Sequence, residues 1–284
     1  MNSTVLADPS VDAPADSFAA ERVPLPSLRE ADVHNLVARL DPARLPAHVA
    51  IICDGNGRWA ERRGQPRLWG HHQGYQTVRR IVRASSDIGL RYLTLYAFSS
   101  ENWSRPKPET DGLMRLFVEG AKRELRELHE NGVRMRFSGR LHLLPLALQA
   151  ELARHREITA GNTGLTLNIC LNYSGRDEIL DAAKRLVEMA QRGEIGPGDV
   201  TSQTFSDGLY TAGMPDPDLL IRTAGEMRVS NYLLWQIAYA ELWVTPACWP
   251  DFGVKHLCEA LLDYQGRVRK FGGVVSAAKN GGAS

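Results

Sequence analysis

Three polar segments in this 284-residue chain each follow an apolar run of strand length, and each carries residues suited to a phosphorylated ligand. The first, D-G-N-G-R-W, comprises Asp54, Gly55, Asn56, Gly57, Arg58 and Trp59, directly after HVAIIC. Its glycines let backbone N–H groups approach a ligand closely, and a helix starting there favours an anion. Asp54 offers an oxygen ligand for Mg²⁺, and Arg58 a planar fork for phosphate oxygens. Neither a Walker A loop nor a G-x-G-x-x-G turn is spelled, so the nucleotide-binding motifs are not met. Taken alone, the segment also reads as a turn with a capping aspartate.

The second segment, S-S-E-N-W-S-R, runs from Ser99 through Ser100, Glu101, Asn102 and Trp103 to Arg105. By itself it fits a surface loop equally well. The third, R-T-A-G-E-M-R-V-S, sets Arg222 and Arg228 on either side of a glycine and ends at Val229 and Ser230. Two arginines on one loop suit a second phosphate group, or merely a solvated surface. Arg67 and His71 sit four apart, so on a helix they share a face that can turn toward the Asp54 loop. Glu241 lies in an otherwise apolar strand; facing inward it needs a metal or a cation, facing outward it needs nothing. Together these residues supply one acidic metal ligand, several arginines and glycine turns, which is chemistry for two diphosphates.

Such groups need a frame. In an open α/β sheet, ligands sit beyond the carboxyl ends of the strands, and all three segments follow a strand pattern. The β-rich runs are HVAIIC (48–53), RYLTLYAF (91–98), VRMRFSG, GLTLNICLN (164–172), DLLIRT (218–223) and AELWVT (240–245). Between them lie helical patterns: Tyr75 to Val82 capped by Gly89, then a long stripe of Leu113, Leu116, Phe117, Ala121, Leu125 and Leu128 ending at Asn131-Gly132. Further helices are expected near 145–159, 176–192, 201–210 and 251–270. Strands alternating with helices predict a single α/β domain: a mainly parallel six-stranded sheet with helices on both faces. The expected boundaries are a disordered tail over 1–28, the domain over 29–272 and a flexible tail over 273–284.

Composition narrows the function classes. With 34 Lys+Arg against 33 Asp+Glu, the net charge of +1 gives a polyanion no long-range attraction, so no nucleic-acid partner is expected. Cys53, Cys170, Cys248 and Cys258 form no C-x-x-C pair, which argues for reduced thiols in a cytoplasmic protein. No apolar run is long enough for a membrane span, and the N-terminus lacks the features of a secretory signal.

Taken together, HVAIICDGNGRWA, GHHQGY, LYAFSSENWSRP, NICLNYSGRDEI, DLLIRTAGEMRVSNYLLWQIAYAEL and WPDF strongly resemble the cis-prenyltransferases, the family of undecaprenyl diphosphate synthase. The likeness covers about residues 45–272, in the family's motif order. It implies repeated condensation of isopentenyl diphosphate onto an allylic diphosphate primer with formation of Z double bonds. It further implies a hydrophobic tunnel, Mg²⁺ dependence, a homodimer and peripheral membrane contact for product release. By resemblance, Asp54 is the catalytic aspartate and a metal ligand, with Glu241 as the second ligand. Gly55, Asn56, Gly57 and Arg58 match the loop around the primer diphosphate, with Trp59, Arg67 and His71 beside it. Ser99, Ser100 and Glu101 match the loop over the substrates, with Trp103 and Arg105 nearby. Asn102 matches the residue assigned as proton acceptor, although an amide is a poor base. Arg222, Arg228, Val229 and Ser230 match the isopentenyl diphosphate site.

The chain departs from the family pattern at few places. Cys53 stands where Met is common, Ala224 where Gly is common, and AELWVT replaces an AELYFT-like strand. Cys53, AELWVT and LYTAGMPDPDLLIRT resemble members that make short products. Lys270 stands where Arg is frequent, which bears on whether the tail reaches a partner's diphosphate. Against this, small Ala97 occupies the place where the family leaves the tunnel open, so a medium- or long-chain product is expected, with a short C15–C20 product as the alternative. A non-catalytic partner subunit would be expected to lack the Asp54–Arg58 loop. A phosphohydrolase would need a base for water that no motif offers.

Overall fold

The computed structural model describes residues 31–269. The expected tails over 1–28 and 273–284, and Lys270, fall outside the described residues. Six strands form one sheet: β1 (His48–Ile52), β2 (Tyr92–Ser99), β3 (Arg134–Ser138), β4 (Thr166–Tyr173), β5 (Leu219–Arg222) and β6 (Glu241–Val244). Their order is β3-β4-β2-β1-β5-β6, and every adjacent pair is parallel. The expected doubly covered parallel sheet is therefore observed.

The alternation of β1 explains both layers. Val49 and Ile51 point into a core with Ile81, Val82, Leu257 and Leu261, contributed by helices α3 (Arg67–Ile88) and α8 (Val254–Gly266). Ala50 and Ile52 point to the other face, against Tyr96, Tyr173 and Tyr232. A strand covered on both faces reads as a continuous apolar run, which is why all five β1 residues are buried.

The remaining helices are α1 (Ala31–Ala38), α2 (Asn56–Glu61), α4 (Lys107–Glu130), α5 (Leu146–Ile158), α6 (Gly175–Gln191) and α7 (Ser202–Asp207). Gly89 ends α3 with φ +90°, the left-handed cap expected of a glycine there. The last helix is shorter than the 251–270 pattern. It stops at Gly266 because Arg267 leaves the helix to donate to Glu241 Oε2 at 2.8 Å and to the Leu242 carbonyl at 3.0 Å. Among the described residues no helix is long and apolar enough to cross a membrane.

β1 lies between β2 and β5, where the chain's direction of travel across the sheet reverses. The register pairs Ile52 with Arg222. Asp54, two residues past the end of β1, thus emerges beside the last residue of β5 at the switch point, where a crevice forms.

Candidate active site

The loop after β1 is held by β5's own extension. Asp54 N–H donates to Thr223 Oγ1 at 2.9 Å, Thr223 Oγ1 donates back to the Asp54 carbonyl at 2.7 Å, and Trp249 N–H donates to that carbonyl at 2.8 Å. Gly55 then takes φ +99°, which only glycine adopts readily, and a Cβ there would meet Ala224 Cβ and Cys248 Sγ, each at 2.9 Å. Ala224, where glycine was expected, itself sits at φ +68°. Ser230 and Asn231 are also left-handed, at +47° and +60°. Such strain gathers where surrounding structure fixes a site.

A chain of alternating charges joins the first and third segments. Arg222, 5% exposed, donates from Nη2 to Asp54 Oδ2 at 2.9 Å. Asp54 Oδ1 lies 3.1 Å from Arg58 Nη2, and Arg58 Nη1 donates to Glu226 Oε1 at 2.7 Å. Glu226 Oε2 pairs with Arg228, whose carbonyl, with Ser230 Oγ at 2.7 Å, accepts from Arg222 Nη1. Burial pushes the Asp54 carboxyl up, but hydrogen bonding to Arg222 and the charge of Arg58 outweigh it, so Asp54 stays ionised below the usual carboxylate range. Val229 packs against the apolar cluster beneath this loop.

A second knot lies alongside. Arg67 and His71 share a face of α3, and both reach Glu109 in the first turn of α4, at 3.0 Å and 3.4 Å; Arg105 reaches it at 3.1 Å. The Arg67 guanidinium lies where a Cβ on Gly57 would be, only 2.4 Å away. Burial holds the His71 imidazole down at about 4, so it is neutral near pH 7. Asn56 fits between the helices because α3 carries glycines there: a Cβ on Gly70 would meet the Asn56 carbonyl oxygen at 2.0 Å, and one on Gly74 its Oδ1 at 2.2 Å. That Oδ1 is buried and has no hydrogen-bond partner among the described residues.

The second segment forms a turn over this edge. Asn102 Oδ1 accepts from Ser99 N–H at 3.1 Å, and Ser100 to Ser104 wind into a short 3₁₀ helix. Glu101 accepts from Asn231 Nδ2 at 2.7 Å, and Trp103 Nε1 donates to Asn172 at 2.8 Å. These bonds tie the turn to the loop after β5 and to the end of β4.

Two predicted residues stand apart. Trp59 is buried beneath the loop, stacked on Trp69 at 4.7 Å and bonded to Asp251 at 2.6 Å. Glu241 begins β6 opposite Leu219, three residues or about 10 Å from the carboxyl edge at ~3.3 Å per residue. There it pairs with Arg267, so one chain does not bring Glu241 to Asp54 as a second metal ligand. Conversely, the sequence reading missed Glu109 and Glu226. The i, i+4 spacing of Arg105 and Glu109, and the position of Glu226 between Arg222 and Arg228, were the available signals.

Beneath the crevice lies an apolar cavity of about 200 Å³ between α3, α4 and the sheet. It begins at Cys53, Asn56 and His71, passes Ala97 and Phe117, and reaches Leu128 and Asn131. An arginine-rich crevice next to the Cys53 and Asn56 end of an apolar hollow suits a ligand with a polyanionic head and a greasy tail.

The family model "Putative undecaprenyl diphosphate synthase", of the prenyltransferases, matches residues 52–272. The chain belongs to this prenyltransferase family. An isoprenyl transferase of Heliobacterium mobile is 51% identical over 244 residues, covering 86% of this chain and 94% of its own. One from Clostridium perfringens is 49% identical, covering 81% and 91%. The crystal structure of lavandulyl diphosphate synthase from Lavandula x intermedia, in complex with dimethylallyl diphosphate, aligns with TM-score 0.78 at 35% identity over 81% of this chain and 99% of that one. A probable undecaprenyl diphosphate synthase from Campylobacter jejuni aligns with TM-score 0.66 at 28% identity, covering 80% and 98%. The enzyme is thus an isoprenyl transferase of isoprenoid biosynthesis.

Proposed function

We propose that the enzyme condenses isopentenyl diphosphate with an allylic diphosphate primer to give a Z-polyprenyl diphosphate. The observation that carries this reading is the Asp54–Arg58–Arg222 cluster, flanked in the chain by Cys53 and Asn56, which line the apolar cavity. The primer's diphosphate would lie on Arg58 and Arg67 over the Gly55–Gly57 turn, with its prenyl tail in the cavity. Isopentenyl diphosphate would be held by Arg222, Arg228 and Ser230, within reach of the primer's first carbon.

Bond formation needs the primer's diphosphate to leave as its allylic carbon becomes cationic. Arg58 and Arg67 stabilise the charge that develops on the leaving oxygens. They stay ionised throughout, so no proton is withdrawn from that task. Asn102 orients the proton lost from isopentenyl diphosphate, and the departing diphosphate receives it, because a carboxamide holds a proton poorly. Neutral His71 turns its one N–H to Glu109 Oε1 at 3.4 Å and so helps to fix the carboxylate that holds Arg67.

The Asp54 carboxylate fits Mg²⁺: it is ionised, 29% exposed and a hard oxygen donor. Among the described residues no group of three or more His, Cys, Asp or Glu forms a metal cage. One carboxylate plus substrate phosphates is the usual way this ion is held. When bound, Mg²⁺ supplies Lewis-acid neutralisation of the diphosphate. Within one chain Glu241 is paired with Arg267 at the amino end of β6, away from Asp54.

The small side chain of Ala97 on the cavity wall favours a medium- or long-chain product. A homodimer, and contact with a membrane surface as the product leaves, complete the reading. The test is incubation with labelled isopentenyl diphosphate, Mg²⁺ and C10, C15 or C20 primers, followed by sizing of the dephosphorylated products. Products longer than C20 from the C10 and C15 primers support a medium- or long-chain synthase, a stop at C15–C20 supports a short-chain synthase, and no incorporation with any primer refutes condensation.

A further inference from the structure

The two helical walls of the cavity meet along a seam whose chemistry changes part-way down. α3 and α4 both start at the arginine-rich edge and run beneath it side by side, as the pairs Leu68–Gly112, Tyr75–Gly120 and Arg79–Glu124 record. Near the site the seam is closed by glycine. A Cβ on Gly112 would meet Leu68 Cδ2 at 2.7 Å, and one on Gly120 would meet the Tyr75 ring at 2.6 Å. Contacts this close leave the helices no slack.

One turn further on, glycine gives way to charge. Arg79 donates from Nε to Glu124 Oε2 at 2.8 Å and from Nη2 to Glu127 Oε2 at 3.0 Å. Tyr75 Oη donates to Glu124 Oε1 at 2.5 Å. Arg79 and Glu124 are only 26% and 13% exposed, and with Tyr75 they are where the cavity lining turns from mainly apolar to charged, Arg83, Asp87 and Glu127 following further along. The clasp stands twelve residues below Arg67, about 18 Å at ~1.5 Å per residue, too far to touch the reacting carbons. The condensation itself leaves it without a task.

An apolar chain entering from the site first meets Leu113, Leu116 and Phe117, all good neighbours for hydrocarbon. At the clasp this changes. To extend further it must lie against ionised groups that it cannot hydrogen-bond, or part a half-buried ion pair and leave charge uncompensated. We infer that the Arg79–Glu124–Tyr75 clasp is a specificity-determining element that limits how deep the growing prenyl chain extends, and so sets product length. The inference rests on the cavity being the berth of the prenyl chain, as proposed above.

The experiment sizes dephosphorylated products from the wild type, Arg79→Leu, Glu124→Leu and the double variant, with the rate of the first condensation measured alongside. The double variant should lengthen the main product by at least one five-carbon unit while the first condensation stays within about twofold of wild type. Arg79→Lys keeps a charged pair and should keep the wild-type length. Should the leucine variants fold poorly, Glu124→Gln removes the charge at constant volume and should lengthen the product as well. An unchanged or shorter product in the variants that fold overturns the clasp alone. So does equal lengthening by Arg79→Lys. A wild-type protein that makes no prenyl product overturns the condensation reading, and the clasp's role with it.

Discussion

Replacing Asp54 separates its two duties, because it is at once the candidate metal ligand and the counter-ion of a buried arginine. The local cluster holds three guanidiniums, Arg58, Arg222 and Arg228, against two carboxylates, Asp54 and Glu226, a net of +1; Asp54→Asn or Asp54→Ala raises it to +2. Arg222 is 5% exposed, and among the described residues its Nε already has no partner. Removing the partner of a fully buried ion costs about 3–5 kcal/mol. Asp54 is 29% exposed and Arg58 38%, so solvent screens part of the loss, and about 2–3 kcal/mol is expected for Asp54→Ala. Asn keeps an acceptor for Arg222 Nη2 and should cost roughly 1 kcal/mol. At roughly 2–4 °C per kcal/mol for a domain of this size, thermal unfolding should fall by about 7 °C for Ala and about 3 °C for Asn. Activity should not follow that order. Both variants should lose at least about a hundredfold in kcat, a barrier rise of about 2.7 kcal/mol, because neither side chain carries the charge that holds Mg²⁺. Inorganic diphosphate without Mg²⁺ should stabilise the Asn variant at least as much as wild type, since the site has gained positive charge. A rate loss below about tenfold, near 1.4 kcal/mol, refutes the metal role. Unfolding of the Ala variant at the wild-type temperature refutes the dependence of Arg222 on Asp54.

Arg228→Ala should raise KM for isopentenyl diphosphate much more than KM for the primer; equal effects would refute the division of the two diphosphate sites. Burial lowers His71 and His48 to about 4, below the unfolded value of 6.5, so the unfolded chain binds the extra protons between those limits and stability falls as pH drops from 6.5 toward 4. His71→Gln should therefore recover up to about 2 kcal/mol of the stability lost between pH 7 and 5 in denaturant titrations, and an unchanged pH slope would contradict a buried neutral imidazole. Gly70→Ala would drive a methyl against the Asn56 carbonyl oxygen, 2.0 Å away, and should destabilise the fold by about 1–3 kcal/mol or more; unaltered chemical denaturation would count against the α2–α3 contact. Ala97→Leu adds three carbons to the cavity wall and should shorten the product by at least one five-carbon unit, with unchanged product length as the contrary result.

Local pattern determined much of this protein. The HVAIIC run, buried at every β1 position, and the amphipathic stripe from Leu113 to Leu128 carry strand and helix periods that their neighbours need only accept. Gly89 marks a helix end because a left-handed cap is a property of one residue. Asp54, Arg58, Arg222 and Arg228 were legible too, since each ends or follows a strand and parallel strands deliver their carboxyl ends to one edge. Tertiary structure decided how these groups are paired. Nothing in the spacing of 168 residues between Asp54 and Arg222 says that they meet; the β1–β5 register does, by setting Ile52 against Arg222. Glu109, already within i, i+4 reach of Arg105, gathers Arg67 and His71 only because α3 and α4 begin side by side. Glu241 illustrates the converse. Its strand was legible, but three residues of parallel register put it at the amino end beside Arg267 and away from Asp54. Residue type and period are local quantities that a short stretch of chain carries by itself. Distances between carboxylates and guanidiniums depend on strand order and register, which only the closed core selects.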